Sequence, residues 1–499
     1  MPKYLLLILF LWFSFKDRQS ESKQPNIVFI FADDMTYTAL NALGNAEIST
    51  PNLNRLVRGG TSFTHAFNMG GWNGAICVAS RAMIISGRSL WEANQFRKGW
   101  INGLDTDKSW GKLMESAGYE TFMTGKWHID AKAEAIFQNV VHVRPGMPGD
   151  TWNRNPGMAQ KIIEAKSRNV PIDGIMPLGY NRPLDENDTL WSASDTTLGG
   201  YWEGGRHWSE VLKEDALGFL EQSKDRENPF FMYLAFNAPH DPRQAPKEYL
   251  DRYPIDRISL PKSWLPEYPF KDSIGNGPDL RDEALAPFPR TPYAIKKHTQ
   301  EYYALISHMD DQIGAILDRL KADDGMKNTY VIFTADHGIA MGRHGLMGKQ
   351  SLFDHSIRVP FMIMGPGISK GKKIDEPIYL QDAMATSLEL AGIKKPDYVF
   401  FNSVVDLAKG NQPKSHYEAI YGAYTNTQRM IRKNGFKLIV YPKLKKILLL
   451  DVTNDPEEES DLASDLTYQI NVDSLFNELL ELQQQFKDTI DITSIRSLK

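Results

Sequence analysis

The stretch NIVFIFA, Asn26–Ala32, is an unbroken apolar run that ends directly before two acidic residues, Asp33 and Asp34. Unbroken apolar runs bounded by turn residues are typical of strands that are buried on both faces, as in a parallel sheet. Three more such runs follow along the chain: Glu120–Thr124 (ETFMT), Phe230–Phe236 (FFMYLAF) and Tyr330–Thr334 (YVIFT). The four runs predict the inner strands of one parallel sheet.

The segments between these runs show the periodicity of helices. The clearest segment carries an apolar stripe at i, i+3 and i+4 spacing from Tyr302 to Leu320. Its helix is predicted to begin near Thr291-Pro292, a capping residue followed by proline, and to end near Asp324-Gly325. A strand follows directly, as in a βαβ unit. We therefore predict an α/β fold with a mostly parallel central sheet flanked by helices.

Other parts of the chain depart from this alternation. Residues from about 130 to 200 and from about 262 to 292 are rich in Pro, Gly, Asn and Trp, and such insertions are usually functional or disordered. After about residue 405, four segments predict antiparallel strands and a terminal helix: Arg429–Arg432, Lys437–Tyr441, Ile447–Asp451 and Val472–Lys487. We predict a signal peptide with its leader at 1–24, the main α/β domain at 25–404, and a smaller C-terminal α+β subdomain with an antiparallel sheet at 405–499.

The first residues of the chain predict export. Lys3 precedes an apolar run, Tyr4–Phe15, and the polar stretch Lys16–Gln24 follows it. The run is shorter than the roughly 20 residues that cross a bilayer, and it fits the apolar region of a signal peptide. An uncleaved anchor or a disordered start is the alternative. We expect a periplasmic or secreted protein with no stable membrane insertion.

The composition is that of a globular protein with a large core: 42% of the 499 residues are hydrophobic and 24% are charged. The formal net charge of −5 gives no indication of a surface for nucleic acid, although a local basic pocket for an anion is compatible with it. Cys77 is the one cysteine of the chain, so no internal disulfide can form. An unpaired cysteine in an exported chain is either a buried bystander or a reactive group.

Polar side chains follow each of the four predicted strands. They are Asp33 and Asp34 after the first, Lys126, Trp127 and His128 after the second, His240 and Asp241 after the third, and Asp336 and His337 after the fourth. Ligands of open α/β sheets bind at the carboxyl ends of the strands. One sheet would therefore deliver all of these groups to one crevice.

The acidic members of this set predict a metal site. Adjacent carboxylates in a crevice repel each other unless a cation neutralises them. Three carboxylates and one imidazole favour a hard cation, with Ca²⁺ first and Mg²⁺ second. The four residues are Asp33, Asp34, Asp336 and His337. An Asx turn or a helix cap is the alternative for each pair.

The basic members of the set and Cys77 predict chemistry on an anion. Lys126, His128 and His240 are either ordinary loop residues or a source of positive charge and proton transfer beside the metal, which suits hydrolysis of an anionic ester. Cys77 stands at the predicted first turn of a helix, with Arg81 four residues later. A helix N-terminus and an arginine both favour negative charge at the thiol.

The run Cys77-Val78-Ala79-Ser80-Arg81, followed by Ser86-Gly87, resembles the signature of the formylglycine-dependent sulfatases of the alkaline phosphatase superfamily. The familiar form of that signature has proline where this chain has Ala79, and alanine is an accepted variant. Other segments resemble sulfatase motifs in the same order: PNIVFIFADD at 25–34, TGKWH at 124–128, APH at 238–240, TADHG at 334–338, GK at 348–349, IRVP at 357–360, RMIR at 429–432, KL at 437–438 and NDPE at 454–457. The resemblance covers nearly the whole chain after the predicted signal.

The resemblance implies the alkaline-phosphatase-like sulfatase fold, with 25–404 as the catalytic domain, and an enzyme that removes sulfate from its esters. It implies that a formylglycine-generating maturation enzyme oxidises Cys77 to formylglycine (3-oxoalanine), and that one hydroxyl of the hydrated aldehyde attacks sulfur. The roles implied for the other residues are as follows: Asp33, Asp34, Asp336 and His337 bind Ca²⁺ together with the modified Cys77; Arg81 and Lys126 stabilise the nucleophile; His128 assists the release of sulfate; and His240 and Lys349 hold the sulfate and assist the leaving oxygen.

The substrate is predicted more coarsely. Arg243, His344 and Trp72, with Asn73 beside it, are candidate substrate-binding residues, and a packing or surface role is the alternative for each. By resemblance, the run from His240 to Arg243 is closer to carbohydrate sulfatases than to lipid or steroid sulfatases. We expect a sulfated carbohydrate, such as fragments of a polysaccharide, and a marine algal glycan would fit.

Three other functions compete with this prediction. A phosphonate monoester or phosphodiester hydrolase of the same superfamily can also use formylglycine. A non-catalytic glycan-binding protein would have no need of Cys77. A two-zinc phosphatase is disfavoured, because it would need a serine or threonine nucleophile and further metal ligands.

Overall fold

The computed structural model describes residues 24–147, 158–168, 170, 175–224, 226–323 and 325–495. The predicted signal segment at 1–24 lies outside this part of the chain except for its last residue. Among the described residues, none of the helices combines the length and the apolar character that a membrane span requires.

The described residues form sixteen strands. In chain order these are β1 (Asn26–Ala32), β2 (Thr61–Phe67), β3 (Gly70–Gly71), β4 (Glu120–Lys126), β5 (Asn139–Arg144), β6 (Trp202–Glu203), β7 (Arg206–His207), β8 (Phe230–Ala235), β9 (Thr329–Ala335), β10 (Arg358–Met364), β11 (Lys372–Ile374), β12 (Ile378–Tyr379), β13 (Ile420–Tyr424), β14 (Gln428–Lys433), β15 (Phe436–Tyr441) and β16 (Lys446–Asp451). The four strands predicted from the apolar runs are confirmed, with ends that agree within two residues.

The α-helices are α1 (Leu53–Gly59), α2 (Ile76–Ser86), α3 (Leu90–Ile101), α4 (Trp110–Ser116), α5 (Met158–Ser167), α6 (Trp208–Ser223), α7 (Lys247–Leu250), α8 (Pro292–Ala322), α9 (Asp354–Ile357), α10 (Asp382–Leu390), α11 (Val405–Lys409) and α12 (Gln469–Gln485). The long predicted helix is confirmed as α8. Thr291 caps its N-terminus, where the Thr291 side chain accepts a hydrogen bond from the backbone N–H of Ala294, and proline follows the cap.

The main sheet has nine strands in the described residues, in the order β11-β2-β10-β9-β1-β8-β4-β5, with β12 also paired to β2. The inner strands β9, β1, β8 and β4 are neighbours and run parallel, whereas β10 is antiparallel to both β9 and β2. In the register of these strands, Ile30 pairs with Phe333 on one side and with Leu234 on the other. The predicted α/β fold with a mostly parallel sheet is confirmed, and the carboxyl ends of these four strands lie at one edge.

The inner strands are buried on both faces, as their unbroken apolar runs predict. Every residue of β4, β8 and β9 is buried, and so are the last six residues of β1. Helix α8 buries one stripe against this sheet and against α6, in accordance with its 3.6-residue periodicity. Burial of this apolar surface is the main stabilising contribution to the fold.

A second, smaller sheet has the order β16-β15-β14-β13-β3. Its strands β13 to β16 are antiparallel, and α12 packs against β14 and β15, so the predicted C-terminal antiparallel sheet and its terminal helix are confirmed. The sheet also takes β3 from the first hundred residues. Gly70 of β3 has a φ of 93°, and a Cβ there would lie 2.0 Å from the carbonyl oxygen of Ala423, so the pairing of β3 with β13 requires glycine.

Candidate active site

Backbone hydrogen bonds between neighbouring strand ends assemble the site. The N–H of Asp33, directly after β1, donates to the carbonyl of Ala238 beyond β8 at 3.1 Å, and the N–H of Asp336 beyond β9 donates to Ala32 at 3.2 Å. Asp34 and His128 adopt left-handed conformations, with φ values of 63° and 58°. Non-glycine residues rarely adopt this conformation, and such residues are concentrated at functional sites.

Four side chains at these strand ends form a buried acidic cluster. Its members are Asp33, Asp34, Asp336 and His337, each with no exposed surface. Nε2 of His337 lies 3.3 Å from Asp34 and 3.5 Å from Asp336. Burial and the neighbouring carboxylate of Asp336 raise the pKa of Asp33, although Lys126 opposes them. The crowding of carboxylates predicted from the sequence is therefore present.

Cys77 is the second residue of α2, and its thiol points into the same cluster. Its Sγ lies 3.0 Å from Nε2 of His337 and 3.6 Å from Nζ of Lys349. Burial alone would raise the pKa of this thiol, but Lys126, Lys349 and His337 outweigh burial and place the pKa well below its usual value. The surroundings therefore stabilise negative charge at this position.

Three buried cations hold the acidic cluster together. Nε of Arg81 donates to Asp336 Oδ2 at 3.0 Å, and its Nη1 donates to the carbonyl of Lys126 at 3.0 Å. Nζ of Lys126 donates to Asp33, and Nζ of Lys349 donates to Asp34 at 2.8 Å. Asp34 and Asp282 hold the pKa of Lys349 well above its usual value against the opposing effect of burial, so this lysine stays charged.

His240 lies beside Lys349 at the carboxyl end of β8. Nζ of Lys349 donates to His240 Nε2 at 3.1 Å, and His240 Nδ1 lies 2.7 Å from the carbonyl oxygen of Asp241. That carbonyl can only accept, so Nδ1 carries the hydrogen and the lone pair of Nε2 accepts the hydrogen bond from Lys349. The arrangement orients the imidazole towards Lys349 and Cys77.

The sequence did not identify the residues that hold Lys349 and His240 in place. Arg281 donates hydrogen bonds to Asp241 and Asp282, and Gln350 donates to Asp282. Asp282 also lies 3.9 Å from Nζ of Lys349. Arg281 and Asp282 belong to the irregular stretch at about 262–292, whose composition indicated a functional or disordered insertion. The composition of this stretch indicated that it could be functional, but it could not identify Arg281 and Asp282 individually.

His128 lies next to the thiol at the end of β4. Burial lowers the pKa of this imidazole, whereas a hydrogen bond with the Cys77 side chain opposes the shift. A Cβ on Gly146 would lie 2.3 Å from the His128 ring, so the chain after β5 covers the imidazole closely. Among the described residues, no group hydrogen-bonds His128 Nδ1. The imidazole is therefore neutral at neutral pH.

The three candidate substrate-binding residues are less closely associated with the cluster. The ring of His344 stacks on Phe353 with centroids 4.1 Å apart, and its Nε2 lies 3.1 Å from the carbonyl of Glu458. These are the contacts of a packing residue, and the substrate-binding assignment gains nothing from them. Trp72 is half-buried in the loop before α2, where Arg97 lies 5.5 Å from its ring.

Arg243 is buried close to the third strand end. Its Nη1 lies 3.4 Å from His298 Nδ1, and its guanidinium lies 5.8 Å from the centre of the Tyr302 ring. Within the described part of the chain, Nε and Nη2 of Arg243 have no hydrogen-bond partner. The side chain is 1% exposed, so it does not line an open surface here.

The ligand atoms present fit a hard divalent cation. One ligand atom each from Asp33, Cys77, Asp336 and His337 lie within 4.8 Å of one another, and Asp34, Cys77 and His240 form an overlapping group. Asp33 Oδ1 is buried and has no hydrogen-bond partner among the described residues. A buried carboxylate oxygen without a partner is costly, and a cation would satisfy it.

The arrangement is suited to a reaction on an anionic ester. Three fixed cations lie around the buried Cys77 thiol, the imidazoles of His128, His240 and His337 lie within its reach, and water has almost no access because Cys77 is 2% exposed. Fixed positive charges in a site of low dielectric constant stabilise negative charge that develops in a transition state.

Known proteins that resemble this chain in sequence over most of its length are sulfatases, which act on anionic esters. A family model described as Sulfatase matches residues 25–393, and one described as N-sulphoglucosamine sulphohydrolase, C-terminal, matches residues 342–485. An arylsulfatase of Clostridium perfringens is 29% identical over 91% of this chain and 93% of its own length. An ulvan-active sulfatase of Formosa agariphila is 27% identical over 97% of this chain and 87% of its own length.

Solved structures show the same fold at lower identity. The structure of BT4656 in complex with its substrate D-glucosamine-2-N,6-O-disulfate has a TM-score of 0.70 and 21% identity, and covers 94% of this chain and 100% of its own. The phosphonate monoester hydrolase of Agrobacterium radiobacter has a TM-score of 0.69 and 19% identity, and covers 93% and 96%. The fold alone therefore does not distinguish between sulfate and phosphonate esters.

Proposed function

This chain belongs to the sulfatase family and is a sulfuric ester hydrolase, and on that premise we propose that it removes sulfate from a sulfated carbohydrate by means of formylglycine and Ca²⁺. One observation carries the proposal. The only cysteine of the chain lies in a buried cluster of carboxylates and cations, with its Sγ 3.0 Å from His337 and 3.6 Å from Lys349.

The proposed nucleophile is formylglycine derived from Cys77, so Sγ stands where the modified residue would carry oxygen. As a hydrate, formylglycine supplies one hydroxyl for attack on sulfur and a second whose deprotonation allows sulfate to be expelled. An unmodified thiol lacks that second group. The lowered pKa of Cys77 supports the proposal, since the same cations would stabilise an oxyanion there.

The residues proposed to hold Ca²⁺ are those whose oxygens and imidazole nitrogen meet at the ends of β1 and β9. They are Asp33, Asp34, Asp336 and His337, together with the modified Cys77. When bound, the cation would neutralise the carboxylates and withdraw charge from the sulfate oxygens. The oxygen-rich ligand set supports Ca²⁺ over zinc, with Mg²⁺ second.

The roles of the remaining groups follow from their positions. Arg81 and Lys126 are pinned to Asp336 and Asp33, so their charges stay fixed beside the nucleophile. Lys349 and His240 lie 3.1 Å apart on the other side of the thiol. We assign to them the binding of the sulfate oxygens and the transfer of a proton to the leaving oxygen. Neutral His128 is the proposed base that removes the proton from the second hydroxyl.

A carbohydrate substrate is supported by the relatives and by the predicted export of the chain. The Formosa agariphila relative is described as ulvan-active, and an exported enzyme would meet polysaccharide fragments outside the cytoplasm. Trp72 lies five residues before Cys77 and its ring is half-buried, and this supports a role in binding a sugar near Cys77. The competing proposal is a phosphonate monoester or phosphodiester hydrolase, because the same fold serves that reaction.

The proposed function is tested by comparing three substrate classes with the natively matured enzyme. We expect sulfated oligosaccharides and an aryl sulfate to be hydrolysed with kcat/KM well above that of an aryl phosphate diester. Cys77→Ala should lower kcat by about 10⁴-fold or more while binding of the oligosaccharide is retained, because the nucleophile is lost but Lys349 and His240, which are proposed to hold the sulfate, remain. A preference for the diester would favour the competing hydrolase.

Val78→Ala is the matched control for this variant. Val78 is the next residue of α2 and is half-buried, so the substitution truncates a side chain in the same turn without touching the acidic cluster. We expect near wild-type kcat from it. Full activity of Cys77→Ala would contradict a nucleophile at this position and favour another catalytic group.

A further inference from the structure

A groove of about 850 Å³ separates the main sheet from the second sheet. Its walls come from the end of β2, the start of β10 and the strand β14, which contribute His65, Arg358 and Arg432. Since β10 is antiparallel to β9, its first residue lies at the edge of the main sheet where the catalytic strands end. None of the residues assigned to catalysis or metal binding lines this groove.

Arg432 is the unusual residue of the groove. Its Nε is buried and has no hydrogen-bond partner in the described part of the chain. The guanidinium lies over the ring of Phe67, 4.9 Å from the ring centre. Burial lowers the pKa of Arg432, and the positive charge of Arg358 lowers it further, although the carboxylate of Asp354 opposes the shift. The residue as a whole is half-buried, but a buried N–H without an acceptor is costly, and an anion in the groove would satisfy it.

Arg358 supplies a second guanidinium beside Arg432. Its Nε donates to the carbonyl of Thr64 at 2.6 Å, and its Nη1 lies 3.5 Å from Asp354. Burial and both arginines lower the pKa of His65 to about 3, so this imidazole is neutral and adds no charge. The groove wall therefore carries two neighbouring positive charges.

Three carboxylates line the groove, and each has a partner other than Arg432; that of Glu418 lies 3.7 Å from Nζ of Lys433. Asp375 accepts a hydrogen bond from Thr64 Oγ1 at 2.5 Å, and Glu376 accepts one from the N–H of Ser415 at 2.9 Å. Asp354 is shared between Arg358 and the buried Lys437. Among the described residues, no carboxylate lies within salt-bridge distance of Arg432, so the guanidinium is available to an anion that enters the groove.

We propose that this groove binds an oxyanion of the sulfate or carboxylate class between Arg432 and Arg358, separately from the catalytic cluster. Guanidinium groups bind such anions through paired hydrogen bonds. The oxyanion is either free sulfate or a charged group on a carbohydrate chain. The chain-borne source rests on the proposed function, whereas the anion site itself does not.

The first test is the thermal unfolding of the natively produced protein in sodium sulfate and in sodium chloride of equal ionic strength. Sulfate should raise the Tm of the wild type to a plateau, because an anion that binds only the folded state stabilises it. Arg432→Met should lose a clear part of this gain. Sulfate bound at the catalytic cluster contributes equally to both proteins and cancels in the difference.

Arg319→Gln is the matched control. This arginine lies at the end of α8, near the start of β9 and thus at the opposite edge of the main sheet, where it pairs with Glu221 and Asp323. Loss of Arg319 removes one positive charge without altering the groove, so the Arg319→Gln variant should keep the full sulfate-induced rise in Tm. Equal Tm gains in all three proteins would overturn the proposal.

A second readout separates anion binding from a structural role of Arg432. In chloride, Arg432→Met should unfold at a temperature no lower than the wild type, because it removes a buried N–H that lacks an acceptor. Arg432→Lys should keep part of the sulfate effect. A large fall in the Tm of Arg432→Met in chloride, with an unchanged sulfate gain, would show that the residue is structural and contradict the proposal.

The source of the anion is tested with labelled dextran sulfate and fluorescence anisotropy, which needs no turnover. If a carbohydrate chain supplies the anion, Arg432→Met should bind the polymer about tenfold more weakly than the wild type and Arg319→Gln. If free sulfate is the ligand, the three polymer affinities should agree and the thermal difference should remain. Absence of both differences would exclude the site, even if the enzyme proved to be an active sulfatase.

Discussion

Among single residues, the burial of ionised groups has the largest consequences for this protein. Arg81, Lys126 and Asp33 have no exposed surface, and direct ion pairs join Arg81 to Asp336 and Lys126 to Asp33. Removal of one partner would leave the other as an unpaired buried charge, which typically costs about 3–5 kcal/mol. The positions that support catalysis are therefore also positions on which folding depends.

Asp382, the first residue of α10, makes the stability depend on pH. Burial raises the pKa of this carboxyl to about 7, although hydrogen bonds from Tyr417, Asn402 and Tyr379 oppose the shift. The pKa is about 4 in an unfolded chain. Between these two values the folded state retains a proton that the unfolded state releases, so the stabilisation present below about pH 4 is lost as pH rises to about 7.

We expect Asp382→Asn to remove this dependence. Between about pH 5 and about pH 7.5, the free energy of unfolding of the wild type should fall by roughly 2–3 kcal/mol more than that of the variant. Urea unfolding at the two pH values measures the difference. The exposed Asp397→Asn is the control and should follow the wild type, and an equal pH dependence of all three proteins would contradict the pKa assigned to Asp382.

The sequence predicted the residues of the cluster better than those that support it. Asp33, Lys126, His240 and Asp336 could be selected because each lies at or shortly after the end of a recognisable strand, so that local pattern predicts spatial position. Asp282 acts through partners far along the chain and stands in an irregular stretch, where no periodicity indicates position. His344 was selected by its sequence proximity to catalytic motifs, which does not determine the direction of a side chain.

At the scale of elements, β4 positions Lys126 through an exceptional glycine. Gly125 has a φ of 92°, and a Cβ there would lie 2.0 Å from the carbonyl oxygen of Ala235 and 2.8 Å from Leu212. Both contacts belong to elements that pack on β4, so an added methyl group cannot be accommodated without moving the strand. Any such movement would displace Lys126, which is the next residue.

We expect Gly125→Ala to lower the free energy of unfolding by about 3 kcal/mol or more and to reduce kcat. Strain of a left-handed residue accounts for about 1 kcal/mol of this, and the steric conflict accounts for the rest. Gly118→Ala is the matched control, because Gly118 has a φ of 89° and a Cβ there would have no neighbouring atom within 4 Å. It should cost only about 1 kcal/mol. Chemical denaturation that gave equal costs would contradict the steric argument.

Elements were predictable where their patterns were long or unbroken. The four inner strands and α8 bury their apolar residues in the arrangement that their periodicity requires, and their ends agree closely with prediction. The two residues of β3 and the partly exposed β5 carry no such pattern. Their pairing depends on neighbouring strands, so only the tertiary structure reveals them.

At the scale of the whole molecule, ion pairs through Asp354 of α9 link Lys437 of the second sheet to Arg358, the first residue of β10 in the main sheet. Lys437 of β15 has no exposed surface and pairs with both Asp354 and Glu458. The second sheet also contains β3, which lies only a few residues before Cys77. We propose that the division after residue 404 separates two units that fold together. The sequence could not predict the pairing of β3 with β13, because Gly70-Gly71 resembles an ordinary turn.

Removal of the metal should affect the whole molecule, because its proposed ligands connect β1, β9 and α2. Treatment with a chelator should abolish turnover and lower the Tm by several degrees, since a ligand at about a hundred times its Kd stabilises the folded state by about 2.7 kcal/mol. Ca²⁺ should restore both properties better than Mg²⁺. Unchanged activity and Tm after complete removal of divalent cations would contradict the proposed site.

The identity of residue 77 in the active enzyme is the central claim, and the mass of one peptide tests it most directly. Trypsin should release Gly59–Arg81, which contains no internal lysine or arginine and carries the only cysteine of the chain. In enzyme matured in its native host, we predict that the mass of this peptide corresponds to formylglycine at position 77. A peptide with an unmodified cysteine thiol in fully active enzyme would contradict the account.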